Sequence, residues 1–380
     1  MLETLTVTLL LKVASALARY LKIRQNYSAN MDMKGIIMYL KTLLAAAVLV
    51  ISSTASVMAQ PINGAGATFP NPLYQKWGEE AKKTGIQLNY QSVGSGAGQN
   101  QIRNRTVDFG ASDAPMKQED LEKNNLLQFP AAMGSLVAAV HVPGLERDQL
   151  RLTGQVLADI YLGKIVKWND QRIVELNPTL RLPNLAIAVV YRADGSGTTY
   201  VWASYLSAVS EEWRSRVGTG TSVKWPIGTG ARGNEGVSAS VRQLRGAIGY
   251  VENAYAQQAG LVTTQIRNKD GHWVRPNHKA FEATAAAANW NVPNFAVNLI
   301  DQPGKDTWPI VSPTFILLPR DPKNPATSLT TMRFFDWAFS HGDEIAERLD
   351  YVPVPAEVKT RIRQVWASEV KAPDGTPVWK

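Results

Sequence analysis

LAIAVVYRADGSGTTYVWASYL, residues 185–206, decides the fold class. Leu185–Val190 is a near-continuous apolar run, as a strand buried on both faces requires. A turn of small residues follows, Arg192-Ala-Asp-Gly-Ser-Gly-Thr198. Val201, Trp202, Tyr205 and Leu206 then fall at helical spacing. Strand, glycine-rich turn and helix together form the repeating unit of α/β proteins with largely parallel sheets. The unit occurs twice more. Asn63-Gly-Ala-Gly-Ala-Thr-Phe-Pro70 opens a helix running to about Lys82, with Pro70 suited to its first turn. Ser92-Val-Gly-Ser-Gly-Ala-Gly98 follows a strand in which Ile86, Leu88 and Tyr90 alternate, and it precedes a polar helix.

Working outward, Val107–Phe109 reads as a short strand ended by Gly110, and Leu136–Val142 as a buried parallel strand. Ile310–Leu318 is another apolar run, in which Pro313 suggests an edge or a crossing segment. Thr153 is placed to cap a helix presenting Val156, Leu157, Ile160 and Tyr161. Val358, Ile362, Val365 and Trp366 give the tail helix, Ala356 to Val370, a stripe that should dock on a core. Asn268 to Asn294 reads as irregular chain plus one helix. No repeat or low-complexity linker separates domains, so two lobes would have to be joined without a flexible tether.

Each turn offers what an anion needs. A helix N-terminus has unpaired N–H groups and partial positive charge. Glycine permits close backbone approach. Thr68, Ser95, Ser196 and Thr198 add neutral hydroxyl donors. One such turn is compatible with a plain capped loop; three in one chain point to an anion. None has the nucleotide P-loop pattern or contains a lysine, and neither Ser95 nor Ser196 lies in a hydrolase elbow.

Composition narrows the class further. The 380 residues include no cysteine, which excludes disulfides, thiolate metal sites, a Cys nucleophile and a lipidated N-terminal Cys. The four histidines, His141, His272, His278 and His341, form no close pair suited to a metal, and His272 and His278 read as loop residues. Net charge is +8, but six of the 40 basic and two of the 32 acidic residues lie in 1–59, leaving 34 against 30. No dense basic run remains for nucleic acid. No cofactor or metal set is expected.

Residues 33–59, MKGIIMYLKTLLAAAVLVISSTASVMA, have the pattern of a secretory signal. Lys34 and Lys41 precede the apolar run Thr42–Ile51, which is too short for a comfortable membrane span. Val57 and Ala59 set a cleavage site before Gln60, so the expected location is the periplasm, as a soluble protein. Met31, Met33 and Met38 are alternative starts, and residues 2–23 can form an amphipathic helix.

A more specific resemblance is spread along the chain. It rests on GAGATFPNPLYQKW (64–77), VDFGASDAPM (107–116), ADIYLGKIVKWND (158–170), RADGSGT (192–198), VKWPIGTGARGNEG (223–236), GAIGYVENAYA (246–256) and FFDWAF (334–339). Together these resemble the periplasmic phosphate-binding proteins of high-affinity phosphate ABC transporters. The resemblance implies an α/β, two-lobed periplasmic binding protein of type 2, a venus-flytrap with two crossing strands. It places residues 60–141 and 310–380 in lobe I and 142–309 in lobe II, with the apolar runs 136–142 and 310–318 as crossings.

It also implies phosphate contacts from Thr68, the Phe69 amide, Ser95, Asp113, Arg192, Ser196, the Gly197 amide and Thr198, with Asp194 pairing to Arg192. The family often has a second serine where this chain has Gly96. Read alone, Asp113 would start a turn or cap the helix Lys117–Asn125, and Arg192 with Asp194 would be an exposed ion pair. Trp168, Trp225 and Trp337 read as core. The implied partners are inorganic phosphate and the permease subunits of the transporter, with the chain itself monomeric, non-enzymatic and without nucleic acid. A phosphatase or phosphoryl-transfer enzyme, and a surface adhesion or scavenging protein, are the alternatives from other classes.

Overall fold

The computed structural model of the protein describes residues 61–380. The secretory signal, its cleavage between Ala59 and Gln60 and the helix over 2–23 lie outside the described residues. Among the described residues no helix is long and apolar enough to cross a membrane.

Among these residues the main sheet has nine strands: β1 (Ile62–Gly66), β2 (Leu88–Ser92), β3 (Phe109–Ser112), β4 (Leu126–His141), β5 (Ala188–Arg192), β6 (Thr229–Ala231), β7 (Ala247–Glu252), β8 (Val262–Thr263) and β9 (Val311–Pro319). They lie in the order β2-β1-β3-β9-β4-β7-β5-β6, with β8 pairing on β4. β1 is parallel to β2 and β3, and β5 is parallel to β6 and β7. Each half is thus a small parallel sheet, and the antiparallel pair β9 and β4 joins them.

β4 makes the join possible. All its residues except His141 are buried, as its Leu, Val and Ala content allows. Leu126–Ser135 pair with β9, whereas Leu136–His141 pair with β7, so the strand changes partner at Ser135/Leu136. The returning chain is tied to the same point. Leu136 donates its N–H to the Ile310 carbonyl at 2.9 Å, and the Trp308 indole donates to the Leu136 carbonyl at 2.9 Å. The expectation that Leu136–Val142 is a parallel strand is therefore corrected: the pairing is antiparallel. An apolar run reports burial on both faces but not direction, and β4 enters the second half from the side of the first. Gly110 also does not end its strand. It lies inside β3, and a Cβ there would stand 2.9 Å from Ile102 Cγ2, so this glycine admits a close helix.

Four helices follow the C-terminal ends of parallel strands: α1 (Asn71–Ala81) after β1, α2 (Ser95–Arg103) after β2, α3 (Gly197–Val209) after β5 and α4 (Gly233–Gln243) after β6. Outside the carboxyl ends of such strands is where open α/β sheets bind ligands. Aromatic packing holds helices against each half of the sheet. Phe335 meets Tyr74, Phe109 and Phe129 with ring centroids 5.2–6.2 Å apart. Tyr250 meets Trp202, Trp225 and Tyr161 at 5.2–6.1 Å. Truncating one such buried ring costs about 3–5 kcal/mol. Trp168 is fully buried, Trp225 is half-buried against Tyr191 and Tyr250, and Trp337 is half-buried and stacked on His341. The tail helix Ala356–Glu369 docks through Val358, Ile362 and Trp366.

Candidate anion-binding site

The glycine-rich turns converge. The Gly96 N–H donates to the Gly195 carbonyl at 2.9 Å, so the turn after β2 touches the turn after β5 directly. A Cβ on Gly96 would stand 3.2 Å from Gly195 Cα, and one on Gly195 would stand 3.3 Å from Gly96 Cα. A serine side chain at position 96 would crowd that contact. A Cβ on Gly197 would collide with Ser95 Oγ and Asp113 Oδ2, so α3 begins against both residues. Thr68, Ser95, Asp113, Arg192, Gly197 and Thr198 are all buried, with Asp194 half-buried beside them.

Asp113 follows β3 immediately and is fully buried. Thr314 Oγ1 donates to its Oδ1 at 2.8 Å, and its own N–H donates to Ser95 Oγ at 3.2 Å. Burial pushes its pKa up to about 7, against smaller downward pulls from Thr314, Arg192 and Ser95. The reading of Asp113 as a helix cap does not hold, since the next helix begins at Gln118 with Lys117 in the capping position.

Arg192 and Asp194 are no exposed ion pair. Their side chains are 1% and 9% exposed. Nε and Nη2 of Arg192 donate to the two carboxylate oxygens at 2.7 and 2.5 Å, the two-pronged geometry that a planar guanidinium favours. The Gly233 N–H adds a bond to Asp194 Oδ1 at 3.1 Å. Burial raises the Asp194 pKa, but the Arg192 guanidinium and the Gly233 N–H outweigh it, and the carboxyl lies below the usual range. Arg192 Nη1 stays on the Thr198 side and donates to Thr198 Oγ1 at 3.1 Å. The result is one cation neutralised internally, surrounded by hydroxyls and helix N-termini.

Ser196 Oγ accepts from the Thr199 N–H at 3.0 Å and caps α3. The Phe69 ring packs edge-on against Tyr351, whose hydroxyl donates to the Phe69 carbonyl at 2.7 Å.

The family of this fold is settled by comparison with known proteins. The pattern of the PBP superfamily domain matches residues 51–341. Two relatives called phosphate-binding protein PstS, from Pasteurella multocida and Haemophilus influenzae, are each 48% identical to this chain. The first alignment covers 90% of this chain and 99% of the relative; the second covers 85% and 98%.

The chain belongs to the phosphate-binding protein family.

Its fold is that of the two-lobed periplasmic binding proteins. A solved structure of a high-affinity periplasmic phosphate-binding protein, bound with phosphate, superposes with a TM-score of 0.68 at 21% identity, covering 84% of this chain and 98% of that one.

Several residues around the site escape sequence reading. Asn234, at the start of α4, sits in a fourth strand–glycine–helix turn, Ala231-Arg-Gly-Asn-Glu-Gly236, whose likeness to the other three is the available signal. Thr314 lies in an apolar strand with no local signal. Tyr351 and Glu252 meet only through the fold. The Tyr351 phenol has one hydrogen but faces two acceptors, the Phe69 carbonyl and Glu252 Oε2 at 2.9 Å. A proton on Glu252 completes both bonds. Burial, with Asp350 nearby, pushes the Glu252 pKa well above the usual carboxylate range despite the Tyr351 and Ala254 bonds.

A carboxyl raised on folding supplies stability that is fully present below its unfolded pKa and lost as pH rises through the raised one. Glu252→Gln keeps the shape without that titration. Thermal melts should therefore show the wild type losing stability toward alkaline pH more steeply than the variant. Parallel pH profiles would show that Glu252 is not the titrating group.

Proposed function

We propose that the protein captures inorganic phosphate in the periplasm, without turnover, and delivers it as a monomer to the permease subunits of a phosphate ABC transporter. The observation that carries this is the convergence of Ser95 and Asp113 with Arg192 to Thr198 across the Gly96–Gly195 contact, with Thr68 joined to Thr198 through Asn234. The phosphate oxygens would be held by Thr68, the Phe69 amide, Ser95, Arg192, Ser196, the Gly197 amide and Thr198. Asp194 would hold Arg192, and Asp113 would accept the ligand's proton. A dehydrated anion is stabilised by many neutral donors and one positioned guanidinium.

Residues 60–141 and 310–380 would form one lobe and 142–309 the other. The exchange of partners inside β4 at Ser135/Leu136 favours a hinge there, beside the returning chain at Ile310. Because the contacts come from both lobes, phosphate favours the closed state. Calorimetric titration of protein stripped of phosphate should show one site per chain, and small-angle scattering should show a smaller radius of gyration once that site is filled. Absence of binding would refute the reading, and an unchanged scattering profile at saturation would refute the hinge.

A further inference from the structure

We propose that Asn234 fixes the direction of two threonine hydroxyls, so that Thr68 and Thr198 face the anion as donors only. This deepens the phosphate-binding reading and rests on it. Asn234 is the second residue of α4 and fully buried, and the preceding Gly233 has φ +70°, a conformation that favours glycine. The Glu252 N–H points at Asn234 Oδ1 at 3.0 Å. A backbone N–H cannot accept a hydrogen bond, so the atom facing it must be the oxygen, and the NH2 group is fixed on the opposite side.

That NH2 group meets hydroxyls from two different turns. Nδ2 lies 2.7 Å from Thr68 Oγ1 and 3.1 Å from Thr198 Oγ1. Each hydroxyl also receives a second N–H. The Asn234 N–H donates to Thr68 Oγ1 at 3.3 Å, and Arg192 Nη1 donates to Thr198 Oγ1 at 3.1 Å. A hydroxyl has two acceptor positions and one hydrogen. Here both acceptor positions are filled on each threonine, and the remaining hydrogen can only be given away. Both hydrogens of the Asn234 NH2 group are engaged by the threonines, so Asn234 acts on the anion through Thr68 and Thr198, as a positioning residue. The carboxamide also bridges the turn after β1 and the start of α3, so the arrangement is complete only when those turns are together.

The test is a set of phosphate titrations by calorimetry on wild type, Asn234→Ala, Thr68→Val, Thr198→Val and the two double variants. Asn234→Ala should weaken binding by about 10- to 100-fold in the wild-type background. Its cost should shrink by at least about threefold when either threonine hydroxyl is already absent, because residues in one network are not additive. Equal costs in all three backgrounds would mean that Asn234 only supports the fold, and would overturn the inference while leaving phosphate binding intact. A wild type that does not bind phosphate would overturn both. Should Asn234→Ala prove too unstable, Asn234→Asp retains an acceptor for the Glu252 N–H but offers carboxylate oxygen to the hydroxyls. It should bind phosphate at least about tenfold more weakly than the wild type; affinity equal to wild type would overturn the inference.

Discussion

Asp113→Asn should collapse the preference for phosphate over sulfate by about a thousandfold at pH 8. An ionised carboxylate can only accept hydrogen bonds. Both common phosphate ions carry a proton to donate, and sulfate at that pH carries none. Sulfate would therefore set anionic oxygen against the Asp113 carboxylate. At about 4 Å and an effective dielectric near 20, the repulsion is roughly 4 kcal/mol, or about a thousandfold. The carboxamide that the substitution introduces offers sulfate a donor and removes the repulsion.

The pH dependence has a definite sign. Burial pushes the Asp113 pKa up to about 7. Below that value the wild type holds a proton that it can donate to sulfate. Discrimination should therefore grow as pH rises through about 7 in the wild type and change less in the variant, where only the ligand itself titrates. Competition titrations at pH 6 and 8 measure both effects. A selectivity ratio unchanged by the substitution would remove Asp113 as the proton reader.

The second large effect is expected at Arg192. Arg192→Met should reduce phosphate affinity by about 30- to 5,000-fold, the range for truncating one member of a buried, hydrogen-bonded charge pair. Two losses combine. The anion loses its buried cation partner, and Asp194 is left negative beside it with the N–H bond from Gly233. The double variant Arg192→Met with Asp194→Asn should recover part of the loss, because the uncompensated carboxylate goes with it. Calorimetric titration, with melting curves to confirm folding, distinguishes the cases. An affinity within threefold of wild type for Arg192→Met would show that the guanidinium serves Asp194 and not the ligand.

Much of this site is legible locally. Thr68, Ser95 and Ser196–Thr198 stand out because glycine-rich turns between strand and helix repeat, and each turn by its own geometry presents N–H groups and hydroxyls suited to an anion; that the turns meet is decided by the fold. Arg192 and Asp194 are two apart at a strand end, which puts them on one side. Their burial is another matter. The same spacing on an exposed edge would be an ordinary surface pair, and only the packing of Gly233 and Thr198 around them makes the pair internal. Asp113 behaves likewise. Its place after β3 is readable, whereas the burial that raises its pKa, and the opposing bond from Thr314, 201 positions away in sequence, come only from the fold.

By itself the sequence determined the α/β class, the three turns and their fitness for an anion, because each depends on residues near one another in the chain, and the absence of cysteine excluded thiolate sites and disulfides. The tertiary structure decided the direction of β4, its change of partner at Ser135/Leu136 and the lodging of Asn234 between Thr68 and Thr198. It also decided the meeting of Glu252 with Tyr351. Apolar periodicity records how much of a segment is buried, but strand direction and register come from partners far along the chain. A polar side chain such as Asn234 has no preferred role until the fold supplies the donors and acceptors around it.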